Sequence, residues 1–127
     1  MRLLKATVLV ALAMSGLLSQ PQLASAEGDA TRGKNGYQRW CIGCHGDKET
    51  TQSVGPSLVG LFGRRAGMVG TSPYSRNLYK SGIVWDEKSL QRYLANPSDA
   101  VHGTIMPVAL QDPKERDDVI AYLKTLR

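Results

Sequence analysis

Apolar residues recur with helical spacing at three places along the chain, and no alternating, strand-like period or internal repeat appears. The first stretch follows Asp29, whose carboxylate can accept from the free N–H groups at a helix start, and runs to about Trp40 with Gly33 and Tyr37 four apart on one face. The second begins after Asp86 and carries Leu90, Tyr93 and Leu94 at i, i+3 and i+4 until Asn96-Pro97 stops it. The third opens at Asp112-Pro113, where proline sacrifices no needed hydrogen bond. Its Val119, Ile120, Tyr122, Leu123 and Leu126 make an apolar stripe. A short helix is expected around 75–80, and the glycine-rich stretch 55–72 is expected as loop. The pattern predicts an all-α domain whose first and last helices cross where Gly33 lets the backbones approach, with one or two further helices and long loops.

The N-terminus follows a different rule. Arg2 and Lys5 precede an apolar run of 13 residues, 6–18, and Ala24-Ser25-Ala26 has the small-x-small form that signal peptidase cleaves. A membrane anchor would need about 20 residues to cross the bilayer. Residues 1–26 therefore read as a secretory signal cleaved after Ala26, leaving one domain over 27–127 in the periplasm and no membrane insertion of the mature chain. The signal takes two of the 16 Lys and Arg and none of the 11 Asp and Glu, so the formal charge falls from +5 to +3, 14 against 11. So mild a charge, without a basic stripe, excludes nucleic acid as a partner and leaves docking on an acidic protein surface open. With 42% hydrophobic and 21% charged residues the chain is not disordered. A domain of this size has a thin core and often needs a disulfide, a metal or a cofactor.

Cys41-Ile42-Gly43-Cys44-His45 is the candidate for that help. In an exported chain, Cys-x-x-Cys-His is the attachment pattern for one c-type haem. Thiols one helical turn apart can each add to a vinyl group on one edge of the porphyrin, while the next residue turns its imidazole onto the iron. A thiol redox pair would be expected within a βαβ pattern, a structural zinc site wants four ligands, and a disulfide across so short a loop gains little. Three side chains compete for the iron's sixth position: His102, Met68 and Met106, each in an irregular segment. Spacing alone does not choose between the methionines.

Five ordered blocks carry a resemblance. They are Gly55-Pro56-Ser57-Leu58-Val59-Gly60-Leu61-Phe62-Gly63-Arg64, Ser81-Gly82-Ile83-Val84-Trp85-Asp86-Glu87, Tyr93-Leu94-Ala95-Asn96-Pro97, Gly103-Thr104-Ile105-Met106 and Ile120-Ala121-Tyr122-Leu123-Lys124. Together with the cysteine motif they make the chain resemble class I c-type cytochromes, the bacterial relatives of mitochondrial cytochrome c, from about Gly28 to Lys124. The resemblance implies the small cytochrome c fold around one haem, with Tyr37 packed near Tyr122. It implies Met106 as sixth ligand and His45 held by a hydrogen bond to the Pro56 carbonyl, with the Tyr93 hydroxyl near the methionine sulfur. Arg64, Tyr74 and Trp85 match positions that bind the haem propionates.

Departures from the mitochondrial pattern are Ser98 and Ile105 in place of lysines at the haem edge, Val108 in place of an aromatic residue, and Leu78 in place of a buried asparagine. An apolar rim of Trp40, Ile42, Ile105 and Val108 is expected, with Arg39, Arg64, Arg65, Lys88 and Arg92 as candidates for a basic ring outside it. The function implied is that of a monomeric one-electron carrier, not an enzyme, meeting donor and acceptor redox proteins transiently. A haem peroxidase or gas-binding cytochrome, which needs an open sixth position, and a dedicated subunit of a larger complex are the rivals.

Overall fold

The computed structural model describes residues 27–47, 54–69 and 76–127; the signal assigned to 1–26 and the propionate candidate Tyr74 lie outside the described residues. Helix α1, Ala30–Trp40, starts where Asp29 accepts from the Thr31 and Arg32 amides at 2.8 and 3.0 Å. One residue later the chain makes the single turn α2, Ile42–His45. Helix α3, Arg76–Lys80, matches the short element expected near 75–80.

Helix α4, Glu87–Ala95, has a reciprocal cap: Ser89 N–H donates to the Asp86 carboxylate at 2.6 Å, and Asp86 N–H donates to the Ser89 hydroxyl at 2.8 Å. It ends before Asn96-Pro97 as expected, yet the chain does not leave helical geometry there. Pro97 opens a further turn, α5, Pro97–Ala100, with Asn96 accepting from the Asp99 amide at 3.3 Å. A proline that ends one helix is equally suited to be the first residue of the next, because its missing N–H is one that helix starts leave unpaired. The last helix is α6, Pro113–Leu123. The described residues form no β-strand beyond one antiparallel bridge, Arg65 to Val84.

Helices α1 and α6 cross in close contact. A Cβ at Gly33 would lie 1.8 Å from the Asp118 carbonyl oxygen, and one at Gly36 would lie 2.8 Å from a Val119 methyl. The backbone obstacle at Gly33 admits only glycine, which trades helix propensity for approach, and a Cβ at Gly36 would have to push the Val119 methyl aside. The Tyr37 and Tyr122 rings meet with centroids 5.3 Å apart. Asp118, a buried carboxylate at the crossing, accepts from the Asp29 amide at 2.7 Å and from Arg32 Nε and Nη2 at 2.7 and 3.0 Å. Tyr37, Val119 and Ile120 are sealed from solvent, and α4 adds Leu90, Tyr93 and Leu94 to the same core.

Candidate functional site

The end of α1 delivers the cysteine motif. Cys41 N–H bonds the Tyr37 carbonyl at 2.8 Å, continuing the helix, and the His45 amide bonds the Cys41 carbonyl at 2.9 Å, closing the turn between the cysteines. Gly46, at a φ of 66°, reverses the chain, and its carbonyl accepts from the buried Tyr37 hydroxyl. Cys41 and Cys44 are not joined to each other; Cys41 is buried and Cys44 exposed. Burial, with Cys44 and Glu115 nearby, pushes the Cys41 thiol up to about 11. A thiol redox pair needs a nucleophile shifted the other way.

His45 is oriented by its neighbours. Its Nδ1 lies 2.8 Å from the Pro56 carbonyl oxygen, which can only accept, so Nδ1 carries the proton and the Nε2 lone pair is left for a metal. Burial lowers the imidazole pKa, and the Pro56 contact opposes that shift without reversing it. A lowered pKa favours the neutral ring, the form in which an imidazole binds a metal. Gly55 makes room for it: a Cβ there would sit 2.9 Å from the His45 ring, while the Gly55 amide ties the loop back to the Cys44 carbonyl at 2.6 Å.

These residues open on a largely apolar cavity of about 1070 Å³, counted out to its mouth. Cys41, Cys44, His45, Pro56, Arg64, Trp85, Tyr93 and Met106 all line it, with Leu58, Leu61, Leu78, Leu90, Leu94, Val119 and Leu123 as walls. Met68 is solvent-exposed and outside the lining, as is His102. The structure therefore separates the two methionines that spacing left equal.

Thr104 holds the Met106 loop: its hydroxyl lies 2.6 Å from the Tyr93 hydroxyl and accepts from the Met106 amide at 3.5 Å. Downstream, the Leu110 amide bonds the Leu94 carbonyl at 2.7 Å, and Arg116 of α6 donates to the Leu110 carbonyl at 2.6 Å and to Gln91 at 3.0 Å. Sequence reasoning missed Thr104, Gln91 and Arg116. A hydroxyl two residues before the methionine was the one available signal, whereas the other two read as surface side chains of helices. The Tyr93 hydroxyl meets Thr104, the oxygen that the folded loop brings within bonding distance two residues before Met106.

Arg64 is half-buried and spends two donors on the chain's own backbone, Nη1 on the Val59 carbonyl at 2.8 Å and Nη2 on that of Ser57 at 2.7 Å. It staples the loop that carries Pro56 and does not belong to a solvated basic ring. Trp85 is buried edge-on to Tyr93, with ring centroids 5.1 Å apart. Of the expected apolar rim, Trp40 and Ile105 are exposed, whereas Ile42 and Val108 are half-buried. The Trp40 indole donates to Glu115 at 2.8 Å, tying the motif's entrance to α6.

The donor set suits an iron porphyrin: apolar walls for a flat macrocycle, two thiols on one helical turn, an imidazole with one nitrogen free, a soft thioether and a guanidinium. Among the described residues no cluster of three or more His, Cys, Asp or Glu side chains could hold a bare metal ion instead.

Comparison with known proteins agrees. The Cytochrome c family model matches residues 30–127. Cytochrome c of Euglena viridis is 41% identical over 101 residues, covering 79% of this chain and 99% of that protein. Cytochrome c2 of Rhodopila globiformis is 44% identical over 101 residues, covering 79% and 95%. Among solved structures, cytochrome cH from Methylobacterium extorquens superposes with a TM-score of 0.71 at 41% identity, over 77% of this chain and 99% of that one. With a cysteine pair, an apolar cavity and these relatives, the chain belongs to the cytochrome c family: it is a class I c-type cytochrome, a small electron-transfer protein, not an enzyme, whose one haem is bound covalently through a cysteine pair.

Proposed function

We propose that this cytochrome is a periplasmic carrier, exported by the signal at 1–26 and mature over 27–127, with Cys41 and Cys44 as the thioether residues and His45 and Met106 as axial ligands. When bound, the haem supplies a site that gains and loses one electron. The chain's task is to keep that site unchanged between the two states. His45 contributes a nitrogen donor whose orientation the Pro56 carbonyl maintains, and the loop bonds from Tyr93, Leu94 and Arg116 hold Met106 at the cavity wall. A thioether favours the reduced metal and raises the potential. Arg64 offers charge, and Trp85 a ring N–H, for the carboxylates of the cofactor, a role that the sequence assigns to Tyr74 as well.

The observation that carries the reading is the lining of one cavity by His45 and Met106, with Met68 and His102 elsewhere. Such a pair leaves no open coordination position, which disfavours a peroxidase or gas-binding role. No helix among the described residues is long and apolar enough to cross a membrane. The test is the ferric absorption band near the red end of the spectrum that sulfur–iron ligation produces. It should vanish in Met106→Ala, which should then bind cyanide, and persist in Met68→Ala and His102→Ala. A band that followed Met68 would overturn the assignment, and an isolated protein that always travelled with one large complex would overturn the free monomeric carrier.

A further inference from the structure

From Thr50 to Trp85 the sequence has no Asp or Glu, while Arg64, Arg65, Arg76 and Lys80 all fall within it. Arg64 turns inward to the Ser57 and Val59 carbonyls. The other three are exposed, and among the described residues they make no ion pair, whereas Arg32, Lys114 and Lys124 each pair with a carboxylate. The fold brings three segments together. Arg65 pairs with Val84 across the isolated bridge, where the Ala66 amide bonds the Ile83 carbonyl at 2.8 Å and the Trp85 amide bonds the Arg64 carbonyl at 3.0 Å. Directly opposed residues project from the same face. Gly67 lies against the backbone of Tyr79, where a Cβ would meet Tyr79 Cα at 2.8 Å, so the Met68 turn rests on α3. On α3, Arg76 shares one side with Tyr79 and Lys80 at i+3 and i+4. The same segments carry Met68, Tyr79 and Val84, which are 56%, 54% and 52% exposed.

We propose that this face, the Arg65–Val84 bridge with the outer side of α3, docks an acidic redox protein, as a surface separate from the Trp40–Ile105 rim. The occupant follows from charge complementarity: cations that pair with no carboxylate among the described residues, beside exposed apolar side chains, fit a surface with carboxylates around an apolar patch. Arg, Tyr and Met are residue types enriched at protein interfaces. A bilayer is the poorer fit, since lipid-binding clusters hold about 4–8 Lys or Arg or a long amphipathic helix. This face has three exposed cations, and α3 has five residues. Arg65 and Gly67 also line the haem cavity, so a partner seated here adjoins it. Only the passage of an electron rests on the haem reading above; the binding does not.

The test uses the haem-loaded mature protein in its reduced state, with a strongly acidic flavodoxin as probe, followed by amide chemical shifts. Shifts should concentrate at 65–69 and 76–84, and Arg76→Glu combined with Lys80→Glu, neither of which lines the haem cavity, should weaken binding about tenfold. About 0.3 M salt should abolish it. Shifts confined to the surroundings of Trp40 and Ile105, or a double variant that binds as tightly as the parent, would overturn the proposal. Binding to vesicles of phosphatidylglycerol and phosphatidylcholine in place of flavodoxin would overturn it in favour of a membrane. The ferric spectrum of the double variant, read in parallel, separates this failure from an error in the axial ligands, because neither substitution touches His45 or Met106.

Discussion

Replacing Gly33 by alanine tests the helix crossing on which the cavity is built. The new Cβ would start 1.8 Å from the Asp118 carbonyl oxygen, 2.5 Å from its carbon and 2.9 Å from Tyr122 Cβ, and two of the three obstacles are backbone. Backbone cannot rotate aside as a side chain can, so α1 and α6 must part by about 1.6 Å to restore ordinary contact near 3.4 Å. A gap of about 0.5–1 Å already forfeits a quarter to a half of a contact's dispersion energy. The gap would open over Tyr37, Val119 and Ile120, the most deeply buried large side chains, and would stretch the Asp118 bonds to Asp29 and Arg32. Overpacking at such a site costs about 3–4 kcal/mol, against about 1 kcal/mol gained because alanine is the better helix former. The net loss is about 2–3 kcal/mol. Gly43→Ala is the contrasting substitution, because a Cβ there meets no protein atom within 4 Å. It should be neutral or stabilising by up to about 1 kcal/mol. Guanidinium unfolding of both haem-loaded variants, followed by far-ultraviolet circular dichroism, measures the difference. Gly33→Ala within about 0.5 kcal/mol of the parent would refute the close crossing, since about that much is expected of a surface change.

Asp118 has three charge-assisted or amide bonds and a carboxyl held down to about 2, chiefly by Arg32, from an ordinary value of 3.8. Its contribution is therefore complete above the unfolded value and lost as pH falls through about 2; on acid titration the parent should lose its advantage over Asp118→Asn, which at neutral pH should be about 1–3 kcal/mol less stable. Tyr93→Phe and Thr104→Val each remove one partner of the 2.6 Å hydroxyl pair. Each should let the sulfur–iron band disappear at a lower pH than in the parent, and the double variant should lose little more than either single one, the coupling that a direct contact implies. Cys41→Ala or Cys44→Ala should sharply reduce covalent haem yield and leave the apoprotein largely unfolded, because the core walls face the cofactor; a folded, haem-free protein by circular dichroism would contradict this.

Local signals were enough to read the longer helices and the motif from the sequence, though not the turn that Pro97 opens. Caps at Asp29, Asp86 and Asp112 act within one turn of the residue that makes them, and the stripe at Leu90, Tyr93 and Leu94 repeats at a spacing set by helix geometry. Cys41, Cys44 and His45 are likewise neighbours whose chemistry depends on being one turn apart. Resemblance carried the reading further, to Pro56 and the packing of Tyr37 near Tyr122. The tertiary structure alone decided contacts that close across long stretches of chain. It brings Met106 to the cavity and leaves Met68 in solvent, pairs Tyr93 with Thr104, turns Arg64 into its own loop, and recruits Gln91 and Arg116 from two helices. Each of those residues is polar or flexible enough to suit either the surface or the interior. Its place depends on which hydrogen-bonding group or apolar wall the folded chain presents, a fact that no spacing between neighbours encodes.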